Sequence, residues 1–109
     1  MSYSIKTLPK FEKNLKRLVK KYPSLKDEYI ELIQSLKDSP QQGFCLGNNC
    51  YKIRLAIKSK GKGKSGGARV ITNFIVSEAT VYLLTIYDKS EKVNLTNKEL
   101  KELLLLVSD

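Results

Sequence analysis

Histidine and tryptophan are absent from this 109-residue chain, and cysteine occurs only at Cys45 and Cys50. Without histidine there is no Ser-His-Asp triad, no His–Cys nucleophile pair and none of the usual zinc ligand sets. The cysteine spacing is not that of a CxxC motif, so two reduced, partly buried thiols are expected rather than a disulfide. A metal would need an all-oxygen site, and no carboxylate cluster offers one, so neither metal nor cofactor is expected. No apolar run approaches the roughly 18–20 residues of a membrane span. The N-terminal MSYSIKTLPK lacks the apolar core and cleavage site of a signal peptide. A cytoplasmic protein without a membrane partner is expected.

Acidic residues are missing from the middle of the chain: none occurs between Asp38 and Glu78. The net charge of +9 is therefore uneven. Residues 1–40 hold 9 basic and 5 acidic groups, residues 41–75 hold 7 and 0, and residues 76–109 hold 4 and 6. Soluble basic faces usually intersperse acids to limit self-repulsion. A long acid-free stretch points instead to a surface that keeps phosphates close.

The length fits a single domain over residues 1–109, with 41% hydrophobic and 28% charged residues. Tyr3 to Leu8 alternates as a first strand would. Pro9 suits a first helical turn. From there Phe11, Leu15, Leu18, Val19 and Tyr22 recur at helical steps, while Lys13, Lys16, Arg17, Lys20 and Lys21 face away. Pro23 stops that helix. Ser24 is expected to cap a second one lined by Leu25, Tyr29, Leu32, Ile33 and Leu36, ended by Pro40.

Periodicity then switches to two. Tyr51, Ile53, Leu55 and Ile57 alternate with Lys52, Arg54, Ala56 and Lys58. A basic glycine-rich loop follows, then strands over Arg69–Val76 and Thr80–Tyr87. Thr96 with Glu99 matches a capping box for a final helix. The expected order is β-α-α-β-β-β-α, an α+β fold. It places a helical hairpin on one face of an antiparallel or mixed sheet of about four strands, and the C-terminal helix at the edge. Its core is expected from Phe11, Leu15, Leu18, Tyr29, Ile33, Ile53, Leu55, Val70, Phe74 and Leu83.

The loop GKGKSGG is not a P-loop. Aligning Gly63-Lys64-Ser65 to the end of that motif puts Lys58 where the first glycine belongs, and the loop joins two strands. No nucleotide cofactor is expected. Lys58, Lys60, Lys62 and Lys64 read as a mobile phosphate-contacting arm or as a plain solvated hairpin loop. Lys52 and Arg54 share a strand face, and Arg69 on the next strand adds a third cation. Arginine's rigid fork suits a transition state whose charge grows on phosphoryl oxygens, although a merely solvated sheet face carries the same residues. Tyr87 and Lys89 follow at the end of the last strand, and Lys92 beyond them reads as a further RNA contact; because Lys89 and Lys92 alternate with Asp88 and Glu91, a solvated salt-bridged loop is the alternative.

The segment from Leu15 to Leu25, then Tyr51-Lys-Ile-Arg-Leu55, Ser65-Gly-Gly-Ala-Arg-Val-Ile71 and Leu83-Leu-Thr-Ile-Tyr-Asp-Lys89, together resemble the RelE/ParE toxin superfamily. The nearest branch by this resemblance is the HigB/RelE-like toxins. It implies the toxin of a type II toxin–antitoxin pair that enters the ribosomal A site and cuts messenger RNA without metal. It also implies an acidic cognate antitoxin as partner. Lys52 and Arg54 match the family's basic strand pair, Arg69 the arginine of its G-x-R strand, and Lys89 the basic residue after the last strand. The branch's C-terminal tyrosine falls here at about Leu95, so Tyr87, Lys52 and Lys89 are the candidate bases. Arg69 is expected to lie outside the core. A ParE-like gyrase inhibitor and a non-catalytic nucleic-acid-binding module are the alternatives.

Overall fold

The computed structural model describes residues 3–61, 63, 66–92 and 94–107. Strand β1 (Ser4–Thr7) leads through Leu8 into α1 (Pro9–Lys21), with Pro9 in the first turn where no N–H partner is needed. Phe11, Leu15 and Leu18 form its buried stripe. Tyr22 and Pro23 separate α1 from α2 (Leu25–Asp38). Four more strands follow: β2 (Phe44–Gly47), β3 (Cys50–Leu55), β4 (Ala68–Ile75) and β5 (Thr80–Asp88). Helix α3 (Asn97–Val107) comes last. None of the described helices is long and apolar enough to cross a membrane.

The sheet has the order β1-β5-β4-β3-β2, with β1 parallel to β5 and every other pair antiparallel. It has five strands rather than about four, because residues 44–47 pair with β3 across the turn Asn48-Asn49. Both asparagines take positive φ, 53° and 59°, the backbone that a two-residue hairpin turn requires. The strand expected over 51–57 ends at Leu55, and Lys58–Lys60 form a 3-10 turn.

Two apolar layers cover the two faces. Helices α1 and α2 supply Phe11, Leu15, Leu18, Leu25, Leu32 and Leu36 against Ile53, Val70, Phe74 and Leu83. Tyr29, Ile33 and Leu55, expected in that core, are partly buried at its margin. Leu8, Ile71, Leu84, Tyr87 and Leu103 form the second layer, with Leu100, Leu104 and Val107 packed on it. Helix α3 thus covers the opposite face of the sheet and does not sit at its edge. Leu100, Leu103, Leu104 and Val107, at steps of three and four, turn one stripe of α3 to that face, with Leu103 buried and the other three partly buried.

The two expected caps differ. Thr96 and Glu99 form the capping box: the Thr96 N–H donates to Glu99 Oε1 at 2.9 Å, and the Glu99 N–H to Thr96 Oγ1 at 3.1 Å. Ser24 makes no side-chain cap. Its hydroxyl instead accepts from the Ser59 N–H at 2.8 Å, tying the 3-10 turn to the start of α2.

Candidate active site

Strand alternation puts Lys52 and Arg54 on one face of β3. The register then sets Arg54 directly opposite Arg69, and Arg69 directly opposite Tyr87. Cross-strand partners share a face with Cα atoms about 4.5–5.5 Å apart, so the three side chains form one row across β3, β4 and β5. Tyr87 belongs to the apolar layer on the α3 side, which places the row on the face away from α1 and α2.

The members of the row differ in exposure. Arg54 is exposed, whereas Arg69 is only 3% exposed and Tyr87 5%. The expectation that Arg69 lies outside the core fails: it is buried on the sheet face where its neighbour Tyr87 packs with Leu103 of α3. Its Nη1 donates to the Ala68 carbonyl at 3.1 Å. Arg54 and Arg69 thus bring two guanidinium groups to neighbouring strands on one sheet face. Lys52 is half-buried, with its ammonium 5.9 Å from the centre of the Phe44 ring on the neighbouring strand. Phe44, with Gln42 and Gly43, lines a cleft beside Lys52 and Arg54. Sequence reasoning missed Phe44: counting back from the Asn48-Asn49 turn sets Cys45 opposite Lys52, and the bulge between Cys45 and Gly47 brings Phe44 there instead.

Gly67 explains how Arg69 reaches this place. A Cβ at Gly67 would lie 2.1 Å from the Leu55 carbonyl oxygen, so only glycine lets β4 start so close against β3.

The Tyr87 hydroxyl is buried and has no hydrogen-bond partner among the described residues. Burial pushes its pKa above the ordinary phenol value. Arg69 and Lys92 pull the other way, Glu99 adds to the rise, and the Leu95 amide lowers it weakly without completing a hydrogen bond. At neutral pH the resting phenol is protonated and can donate a hydrogen bond.

The remaining candidates scatter. Lys89 opens the turn after β5; its N–H donates to the Gly67 carbonyl at 3.0 Å, next to the start of β4. Lys92 is not a free phosphate contact: its ammonium bridges Glu99 at 2.8 Å. That bond, then those from Thr96, draw the Glu99 carboxyl down to about 2. Lys60 is a correction of the same kind. It forms a buried ion pair with Asp88 and also donates to Ser90 Oγ at 3.1 Å, so it is an anchor rather than part of a mobile arm. Burial alone would raise the Asp88 pKa. Hydrogen bonds from Lys60, from the Ser90 N–H and hydroxyl, and from Tyr22 outweigh it and hold the carboxyl far below its usual range. Lys58 is exposed and lines a groove with Glu28 and Glu31 of α2. Its N–H donates to Glu28 Oε2 at 2.7 Å. Lys62 and Lys64 lie outside the described residues. The thiols are free, Cys50 buried and Cys45 exposed rather than partly buried. Among the described residues no group of three or more Cys, Asp or Glu is placed to hold a metal.

Residues 10–108 match the family model for the RelE toxin of the RelE/RelB toxin–antitoxin system. The chain belongs to the RelE toxin family. The match does not single out the HigB branch. Solved RelE structures share the fold at low identity. The E. coli RelE toxin, as a mutant in the free state, aligns over 98% of this chain and 99% of its own, with TM-score 0.66 and 15% identity. RelE isolated in a crystal aligns over 97% and 99%, with TM-score 0.52 and 17% identity. The intact E. coli RelBE toxin–antitoxin complex aligns over 80% of this chain and 96% of that one, with TM-score 0.52 and 19% identity. As a RelE-family member the chain is a toxin of a type II toxin–antitoxin system.

Proposed function

We propose that this RelE-family toxin is a messenger-RNA endoribonuclease acting in the ribosomal A site, and that the row Arg54, Arg69 and Tyr87 is its centre. The observation that carries the reading is the buried, unpartnered Tyr87 hydroxyl beside two register-paired arginines. A buried hydroxyl without a partner costs roughly 1–3 kcal/mol, a cost that site groups tolerate because the ligand completes them. Arg54 and Lys52, exposed and half-buried, receive the scissile phosphate, and Arg69 fixes it from below. The ribose 2′-oxygen attacks phosphorus and the bond to the 5′-oxygen breaks, leaving a 2′,3′-cyclic phosphate and a 5′-hydroxyl. The guanidinium groups neutralise the dianionic phosphorane. Tyr87, Lys52 and Lys89 are the groups to handle the two protons: one of them, having lost its own proton, takes that of the 2′-hydroxyl, and a protonated one gives its proton to the leaving 5′-oxygen.

A cognate antitoxin is the second partner. The net charge of +9 and the acid-free stretch favour an acidic segment that covers the basic surface and folds on it. Co-expression should relieve growth arrest and yield a stable complex on purification. Ribosome-programmed messenger with mapped 5′ ends tests the nuclease reading; intact messenger with inhibited DNA supercoiling would move it to a gyrase poison.

A further inference from the structure

Phe44 is 68% exposed, a large aromatic side chain open to solvent beside two cations. Two backbone features hold it there. Gly43 takes φ 101°, and a Cβ on it would lie 2.6 Å from the Lys52 carbonyl oxygen, so only glycine lets the chain run so close to β3. The bulge between Cys45 and Gly47 then sets Phe44 opposite Lys52, on the face that carries Arg54. The Lys52 ammonium, 5.9 Å from the ring centre, steadies the ring as a cation–π partner. Phe44, Lys52 and Arg54 share with Gln42 an open cleft of about 620 Å³, within the size range of small-ligand sites. Gln42 is fixed as well. Its Nε2 donates to Ser35 Oγ at 2.7 Å and to the Ser39 carbonyl at 3.0 Å. A carbonyl only accepts, so the amide has one orientation, and its Oε1 accepts no hydrogen bond among the described residues.

We propose that this cleft is a nucleobase subsite: a base next to the scissile phosphate stacks on Phe44, and Gln42 Oε1 accepts a hydrogen bond from its exocyclic amine. A protein interface gathers apolar residues at its centre and is depleted of lysine. None of the other exposed large hydrophobic residues, Ile30, Val76, Leu105 and Leu106, lines this cleft. One open ring flanked by lysine and arginine is the composition of a single-strand site, where the ring holds a base and the cations hold its phosphate. Every base has a π-face, so stacking alone does not choose among them. A fixed acceptor does. Adenine, cytosine and guanine each offer an amine, whereas uracil offers only a ring N–H set between two carbonyl oxygens. The subsite rests on the nuclease reading above and deepens it: Lys52 and Arg54 hold the phosphate, and Phe44 and Gln42 select the nucleotide that carries it.

The test is binding of the purified toxin to short single strands with 2′-O-methyl riboses, which cannot be cut: oligocytidylate, oligouridylate and an abasic strand of equal length and charge. The wild type should hold oligocytidylate about 5- to 150-fold more tightly than the abasic strand, the value of a base on an aromatic ring. It should prefer oligocytidylate to oligouridylate by about 2- to 10-fold, the value of one hydrogen bond. Phe44→Leu, at an exposed site that the fold tolerates, should lose the first preference, and Phe44→Tyr should keep it. Gln42→Ala should lose the second preference and keep the first. A wild type that binds all three strands equally, or binds none, overturns the subsite. So does Phe44→Leu with wild-type preferences, and so does its loss of antitoxin binding alone, which gives the cleft to a protein. Equal binding of the two pyrimidine strands by the wild type overturns the amine contact. Cleavage of ribosome-bound messenger is read separately. A wild type that shows the strand preferences and cuts no messenger overturns the nuclease reading and supports the subsite. Cleavage that depends on Arg54 and not on Phe44 does the reverse.

Discussion

Arg69 and Tyr87 face each other across the β4–β5 register, both buried, and the Tyr87 hydroxyl has no hydrogen-bond partner among the described residues. Removing that hydroxyl should therefore separate stability from activity. Tyr87→Phe keeps the ring in the layer with Leu103 and deletes only the unsatisfied group, so stability should rise by about 1 kcal/mol. Cleavage should fall by on the order of 10²-fold if the phenol serves the reaction. Denaturant melts and single-turnover cleavage measure the two effects. An unchanged rate would remove Tyr87 from the site.

Arg54 is the cleanest probe of the phosphate contact because it is exposed. Arg54→Ala should leave the melting temperature within about a degree or two, as for most surface substitutions, and lower cleavage by on the order of 10²–10³. Arg69→Ala should remove activity too but also destabilise the protein, since its side chain is buried. Thermal melts beside toxicity assays distinguish the two cases.

What was legible in the sequence was whatever local periodicity or a cap encodes. Phe11, Leu15 and Leu18 mark α1, Thr96 and Glu99 mark the start of α3, and the alternation of Tyr51 to Leu55 puts Lys52 and Arg54 on one face. Strand β2 was not legible because Phe44–Gly47 is too short to show a period; its only signal is the Asn48-Asn49 turn. The partners of the basic loop were hidden for a different reason. Lys60 meets Asp88 across 28 residues, and nothing near either residue announces the pairing. Burial of Arg69 likewise depends on what packs over that face of the sheet, a tertiary fact. Lysines that read as free phosphate contacts from composition were thus partly structural.

Asp88 makes stability depend on pH. Its folded pKa lies below the ordinary carboxylate value, so its stabilisation is complete above the unfolded pKa and is lost as pH falls through about 4 and below. The Glu99 carboxyl, drawn down to about 2, adds to the loss in the same direction. The melting temperature of the wild type should therefore drop between about pH 5 and pH 2. Asp88→Asn should cost roughly 3–5 kcal/mol at neutral pH, because it leaves Lys60 buried without its counter-charge, and should weaken that acid dependence. A variant as stable as the wild type at pH 7 would contradict this account of the loop anchor.

Gly67→Ala should be damaging out of proportion to its size. The new methyl meets the Leu55 carbonyl, so the start of β4 must move away from β3, carrying Arg69 out of register with Arg54. Stability should fall by about 1–3 kcal/mol, as for other overpacked sites, and cleavage should fall further than the melt alone explains. Circular dichroism melts and cleavage of ribosome-bound messenger provide the comparison.

The central claim is that this toxin cuts messenger RNA through the Arg54–Arg69–Tyr87 row. Its most direct test is the purified protein, wild type and Arg54→Ala, added to ribosomes programmed with a defined messenger. The wild type should give discrete fragments ending in 2′,3′-cyclic phosphate, and Arg54→Ala should slow their appearance by on the order of 10²-fold or more. Intact messenger with the wild-type protein, or equal cleavage by both proteins, would contradict it.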